Sequence, residues 1–144
     1  DLSRAIELAP KDSLFISGDY LLRAIIYEEI GKFDLAVLDW TTLIKREPEK
    51  SSNYAFRASG YVKLGKHDLA IRDYNKAITL NPKGESWIYY GRAMANAAGK
   101  HTDKAIADLK KAIQLDAGYK NKARTESRFN AIRKHPDYIR LIGS

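Results

Sequence analysis

At 144 residues, with 44% apolar and 30% charged side chains, the chain has one domain's length and the balance of a soluble folded protein rather than a disordered one. Cysteine is absent, which removes disulfides, thiolate nucleophiles and cysteine-based zinc sites, and no apolar run approaches the roughly 20 residues needed to span a bilayer. The net charge of +7 raises nucleic acid or an anionic surface as a partner, yet the seven bases against two acids after Gly118 account for +5 of it.

Residues 1–10 read as an amphipathic helix, with Leu2, Ala5, Ile6 and Ala9 on its apolar side and Pro10 closing it. They lack the basic start and apolar middle of a signal peptide, so the chain reads as opening in mid-structure. That leaves its location open, with a cytoplasmic one favoured. An uncovered side of this helix is expected to be buried by self-association or by preceding sequence.

From there the chain repeats. Gly-Lys recurs at Gly31-Lys32, Gly65-Lys66 and Gly99-Lys100, in steps of 34 and 34. The pattern Tyr-x-x-Arg-Ala recurs at Tyr20/Arg23/Ala24, Tyr54/Arg57/Ala58 and Tyr89/Arg92/Ala93, in steps of 34 and 35. Each glycine is followed by an alanine-rich amphipathic segment that ends near Pro48, Pro82 or Ala117. A fixed period of this length is the mark of stacked supersecondary units.

Each unit reads as two helices. In the second, Tyr54, Ala58 and Tyr61 fall at helical spacing, and Gly65 suits the left-handed position that ends a helix. Asp68 is placed to cap the next helix, where Ala70, Tyr74, Ala77 and Ile78 make one stripe, and Pro82 ends it with Asn81 pushed out of helical geometry. Between Pro10 and Tyr20 lie four extra residues, which one further turn capped by Asp12 or Ser13 would absorb. In the third unit the stretch from Gly99 to Ala105 is one residue longer, which predicts a longer turn and less regular pairing.

These units resemble the tetratricopeptide repeat, whose pattern asks for a large residue, then leucine and a small residue, an aromatic, later Ala-x-x-x-aromatic, and proline. Tyr54, Arg57, Ala58, Tyr61, Ala70, Tyr74 and Pro82 match in register, as do Tyr20, Arg23, Ala24, Tyr27, Ala36, Trp40 and Pro48. The third unit keeps Tyr89, Arg92, Ala93 and Ala105 but has Asn96, Leu109 and Ala117 in place of the aromatics and proline. The resemblance implies an all-α, right-handed superhelical solenoid of antiparallel helix pairs. It would hold about 3.5 repeats: a half-unit at 1–10, repeats at 13–48, 51–82 and 85–117, and a basic cap at 118–144.

Arg23, Arg57 and Arg92 stand where the family pattern prefers leucine, and an aspartate follows each by sixteen residues: Asp39, Asp73 and Asp108. One member lies on each helix of a hairpin, so the pairs read as repeated structural ion pairs, since a partly buried charge without a partner is costly. The alternative is an arginine ladder for phosphate or carboxylate.

The resemblance further implies a protein partner, a peptide or helical segment, in a concave groove lined by the first helices. Its exposed face would include Leu21, Ile25, Glu28 and Glu29, then Ala55, Ser59 and Val62, then Tyr90, Met94 and Ala97, with Tyr90 and Met94 as adaptable anchors. Relatives that grip chaperone C-terminal carboxylates use lysine, arginine and asparagine there. The corresponding Leu21, Leu22, Ile25, Ala55, Phe56 and Ser59 supply no such clamp.

Behind the repeats, Arg128-Phe129-x-x-Ile132 and Asp137-Tyr138-x-x-Leu141 suggest two short helices, the second begun by Pro136, with the basic residues facing outward. Lys120, Lys122, Arg124 and Arg128 form the alternative site, for nucleic acid or an anionic surface. They lack the interleaved aromatics and glycines of single-strand binders, which disfavours nucleic acid. No cofactor and no catalysis are expected. His67 and His101 sit in equivalent turns of successive units, which stand about 10 Å apart, too far to share a metal ion, and the adjacent Glu28 and Glu29 point in different directions.

Overall fold

The computed structural model describes Arg4 and residues 14–143. The expected half-unit, its apolar side and the caps at Asp12 and Ser13 lie outside the described residues, apart from Arg4. Six helices form three antiparallel hairpins: α1 (Leu14–Glu29) with α2 (Phe33–Arg46), α3 (Ser51–Lys63) with α4 (His67–Leu80), and α5 (Ser86–Ala98) with α6 (Thr102–Leu115). Stacking then places α2 on α3 and α4 on α5, while α3 and α5 also touch directly. The cap follows as α7 (Gly118–Thr125), a 3-10 helix at Ser127–Ile132 and α8 (Pro136–Ile142). The described residues contain no strand, and the result is an all-α solenoid.

Small residues let the helices approach. Ala24, Ala58 and Ala93 on the first helices, with Ala36, Ala70 and Ala105 on the second, are fully buried where each hairpin crosses. Between hairpins the filler is large: Trp40, Tyr74 and Leu109 are all essentially buried. Trp40 and Tyr74 each have their own accommodation on the next first helix. Trp40 stacks on Phe56 at 4.9 Å, and Phe56 stacks on Trp87 at 5.1 Å, which ties α2, α3 and α5 together. Tyr74 instead needs Gly91, where a Cβ would stand 2.2 Å from the tyrosine hydroxyl oxygen.

The turns correct two expectations. Gly31 (φ +73°) and Gly65 (φ +70°) take the left-handed conformation, and in the third unit Lys100 (φ +64°) takes it, not Gly99 (φ −77°). The same pair of backbone bonds closes all three turns: Gly31 to Glu28 and Lys32 to Tyr27, Gly65 to Val62 and Lys66 to Tyr61, Lys100 to Ala97 and His101 to Asn96. The third turn is therefore no longer than the others. Lys100→Gly removes the cost of a left-handed β-carbon and is expected to raise stability by about 1 kcal/mol in urea unfolding. Asp68, for its part, is not a cap. The capping position of α4 is Lys66, without a side-chain bond, and Asp68 lies in the first turn beside the positive end of the helix, as Asp34 and Asp103 do in α2 and α6.

In the cap, Phe129, Ile132 and Tyr138 are buried. Pro136 opens α8, and the His135 side chain accepts from the Asp137 amide. The basic residues do not simply face outward. Arg124 donates to the Ile142 carbonyl at 3.1 Å and to Asn121 at 2.8 Å, and Arg128 pairs with Glu126 at 3.0 Å. Arg133 donates to the carbonyls of Arg124 and Glu126. A short cap with many loose helix ends uses its guanidinium groups to bond carbonyls at those ends.

Candidate partner-binding face

Each arginine of the repeat meets its aspartate with two parallel bonds. Arg23 reaches Asp39 at 2.7 and 2.6 Å, Arg57 reaches Asp73 at 2.7 and 2.9 Å, and Arg92 reaches Asp108 at 2.9 and 2.6 Å. A further bond crosses to the preceding hairpin, from Arg57 to Thr41 at 3.1 Å and from Arg92 to Asn75 at 2.7 Å. Asn96, in the place of an aromatic, donates to Asp108 at 3.0 Å. The Asp39 hydrogen bond raises the Arg23 pKa; for Arg57, burial opposes the charge, and the Asp73 bond together with the Asp73 charge and the nearby Tyr61 and Tyr54 raises it on balance. The forks join the two helices of each hairpin, and the further bonds of Arg57 and Arg92 tie successive hairpins together.

The first helices divide into an open half and a covered half. On α1, Leu21 and Ile25 are 36% and 40% exposed, and Glu28, one turn on, is half-buried. On α3, Ser59 is half-buried, but Ala55 and Val62 are buried against Ala58, Tyr74 and Ile88 and cannot form an exposed floor. On α5, Ala97 is fully buried and Tyr90 is only 8% exposed. The reason is the cap. Its 3-10 helix lies against α5, Phe129 meets the Tyr90 ring edge-on at 5.6 Å, and Tyr119 lies over it at 4.5 Å. Met94 packs into the same cluster. Tyr90 and Met94, expected as anchors for a partner, are anchors for the chain's own cap.

That packing has a titration signature. Burial, then the nearby Glu126 carboxylate, pushes the Tyr90 phenol up to about 12, and burial also raises Tyr74 and Tyr138. The neutral phenol is the folded form. Its contribution is whole below the ordinary value of 10.0 and is lost as pH climbs toward 12. Tyrosinate absorbance is expected to rise in two phases, the later one coinciding with loss of helical circular dichroism.

The open half holds two small cavities. One, of about 300 Å³, lies between α1 and α3 and is lined by Glu28, Glu29, Phe33, Ser59, Gly60 and Lys63. One Glu28 oxygen accepts from the Trp40 indole at 2.8 Å; desolvation raises this carboxyl's pKa, against that bond and the Lys63 charge. The other cavity, about 170 Å³, is bordered by Leu21, Leu43, Lys50 and Asn53. Asn53 is 2% exposed, and its amide nitrogen has no hydrogen-bond partner among the described residues. Sequence reasoning passed over Asn53, Lys63 and the Glu28–Trp40 bond. The signal available was a tryptophan at a core position, whose N–H must find an acceptor.

Elsewhere the candidates separate. Among the described residues no group of three or more His, Cys, Asp or Glu is placed to hold a metal ion, and no helix is long and apolar enough to cross a membrane. In the basic patch, Lys122 stands 4.4 Å from the Tyr119 ring centre, and Arg124 and Arg128 carry the internal bonds described above.

Stacked antiparallel hairpins, tied by a repeated Arg–Asp fork, define a helical-repeat protein. The Tetratricopeptide repeat model matches residues 51–83 and 88–119, and the chain belongs to that family. It is similar to the TPR2B domain of yeast Sti1, in a complex with pHsp70, at 30% identity, 80% coverage of this chain, 91% of that one and a TM-score of 0.66. It is also similar to the first TPR of Spaghetti (RPAP3), bound to the HSP90 peptide SRMEEVD, at 25% identity, 75% and 87% coverage and a TM-score of 0.69. MamA shares the fold at 16% identity, 98% and 80% coverage and a TM-score of 0.79. No curated protein sequence matches.

Proposed function

We propose that this chain is a non-catalytic protein-interaction module, which holds a peptide or helical segment of a partner against the open α1–α3 half of its concave face. The observation that carries this is the stripe of Leu21, Ile25 and Glu28, two exposed branched apolar residues and a half-buried carboxylate on one side of α1. Exposed apolar side chains grouped on a rigid helix, beside cavities, are what a docking face offers. The relatives' peptide complexes support the same class of function. Their acidic ligand does not transfer, because the groove places Leu21, Ile25 and Phe56 carry no cationic or amide group.

Pull-down from a native lysate tests the reading, with circular dichroism confirming that each variant is folded. Leu21→Glu/Ile25→Glu is expected to lose the bound protein, and Lys120→Glu/Lys122→Glu to retain it. The second reading, nucleic acid or an anionic surface at Lys120, Lys122, Arg124 and Arg128, predicts the reverse, and binding that falls steeply with salt.

A further inference from the structure

We infer that the segment held on this face is cationic: it sets an arginine or lysine on Glu28 beside apolar side chains on Leu21 and Ile25. This rests on the groove reading above and specifies its ligand. Positions 21, 25 and 28 are i, i+4 and i+7 of α1, so they form one line along the helix. At the end of that line the two Glu28 oxygens are in unlike situations. Oε1 is held by the Trp40 indole, which fixes the carboxylate over the cavity shared with Ser59 and Lys63. Among the described residues no cation lies within salt-bridge distance of either oxygen, and Lys63 acts on Glu28 only through space.

A half-buried carboxylate held in one orientation at the edge of a cavity, with one oxygen bonded to no described residue, has its strongest complement in a guanidinium or ammonium group. Glu29 lines the same cavity, so the two adjacent glutamates, expected to point apart, both border it, two carboxylates against the one ammonium of Lys63. The opposite end of the line supports a bound chain as well. Leu21 also borders the smaller cavity, where the unpartnered amide nitrogen of buried Asn53 is a donor for a main-chain carbonyl.

The fitting variant is Glu28→Gln. Glutamine keeps an oxygen for the Trp40 N–H and removes only the charge. Since desolvation raises the Glu28 pKa, the ionised form opposes folding at neutral pH, and the variant is expected to be at least as stable as the parent.

Selection from a phage-displayed random dodecapeptide library on the full chain supplies the probes, followed by fluorescence anisotropy of the resynthesised winners. The expected winners carry arginine or lysine flanked by leucine, isoleucine or phenylalanine, and bind about tenfold more weakly to Glu28→Gln. Winners without a basic residue, or with parental affinity for Glu28→Gln, overturn the inference while leaving the groove in place, provided they still lose binding to Ile25→Glu. Winners indifferent to Ile25→Glu, or no enrichment over a blank surface, overturn both.

Discussion

Phe129→Ala is expected to cost about 3–5 kcal/mol, the largest loss available from a single truncation in the cap. The ring has no exposed surface and touches Tyr90 on α5 and Tyr138 on α8, at centroid distances of 5.6 and 6.1 Å. Removing it opens the joint between the last hairpin and everything behind it, and uncovers one edge of the Tyr90 ring. Because each hairpin of a solenoid leans only on its neighbours, the loss should be local. Amide exchange is expected to accelerate in α5 to α8, while α1 and α2 keep parental protection. Ile139→Ala, at a site 48% exposed, serves as the control and should stay within about 0.5 kcal/mol. A uniform rise in exchange would show that the cap holds the whole array rather than its own end.

Asp73→Ala comes second, at about 3–5 kcal/mol, through a different mechanism. Arg57 is 14% exposed at its side chain, and Asp73 supplies two of its three bonds. Without the carboxylate, a largely buried guanidinium keeps only Thr41, whose own hydroxyl is engaged with the Val37 carbonyl. The double variant Arg57→Leu/Asp73→Leu removes the unpaired charge and restores the leucine that the family pattern prefers at position 57. It is expected to recover most of the loss in urea unfolding, since apolar replacement of a buried pair is often neutral or better. Recovery by the double variant and not by Arg57→Ala alone would separate burial of an orphaned charge from loss of a contact.

These two predictions draw on different kinds of information. The sixteen-residue interval between each arginine and its aspartate is written in the chain, and it suffices to place one member on each helix of a hairpin. Thr41 and Asn75, which extend the fork to the preceding hairpin, stand one 34-residue period apart but differ in residue type, and whether they meet an arginine depends on how successive hairpins stack. The cap was harder still. Two apolar pairs nine residues apart announced short helices, yet their spacing could not say which hairpin face they would cover.

The sequence by itself determined the period, the hairpins and the helix-ending turns, because these depend on local residues: alanines at crossing points, a glycine for a left-handed angle, a proline that stops a helix. It misplaced one of those turns, since Lys100 and Gly99 compete for the same position and only the bonding pattern chooses between them. What the tertiary structure alone decided is which concave residues remain open. Tyr90, Met94 and Ala97 have the same helical spacing as Leu21, Ile25 and Glu28, and nothing in either stretch separates core from surface. The separation comes from a cap that folds back over α5, burying one end of the face and leaving the other, with its oriented carboxylate, open.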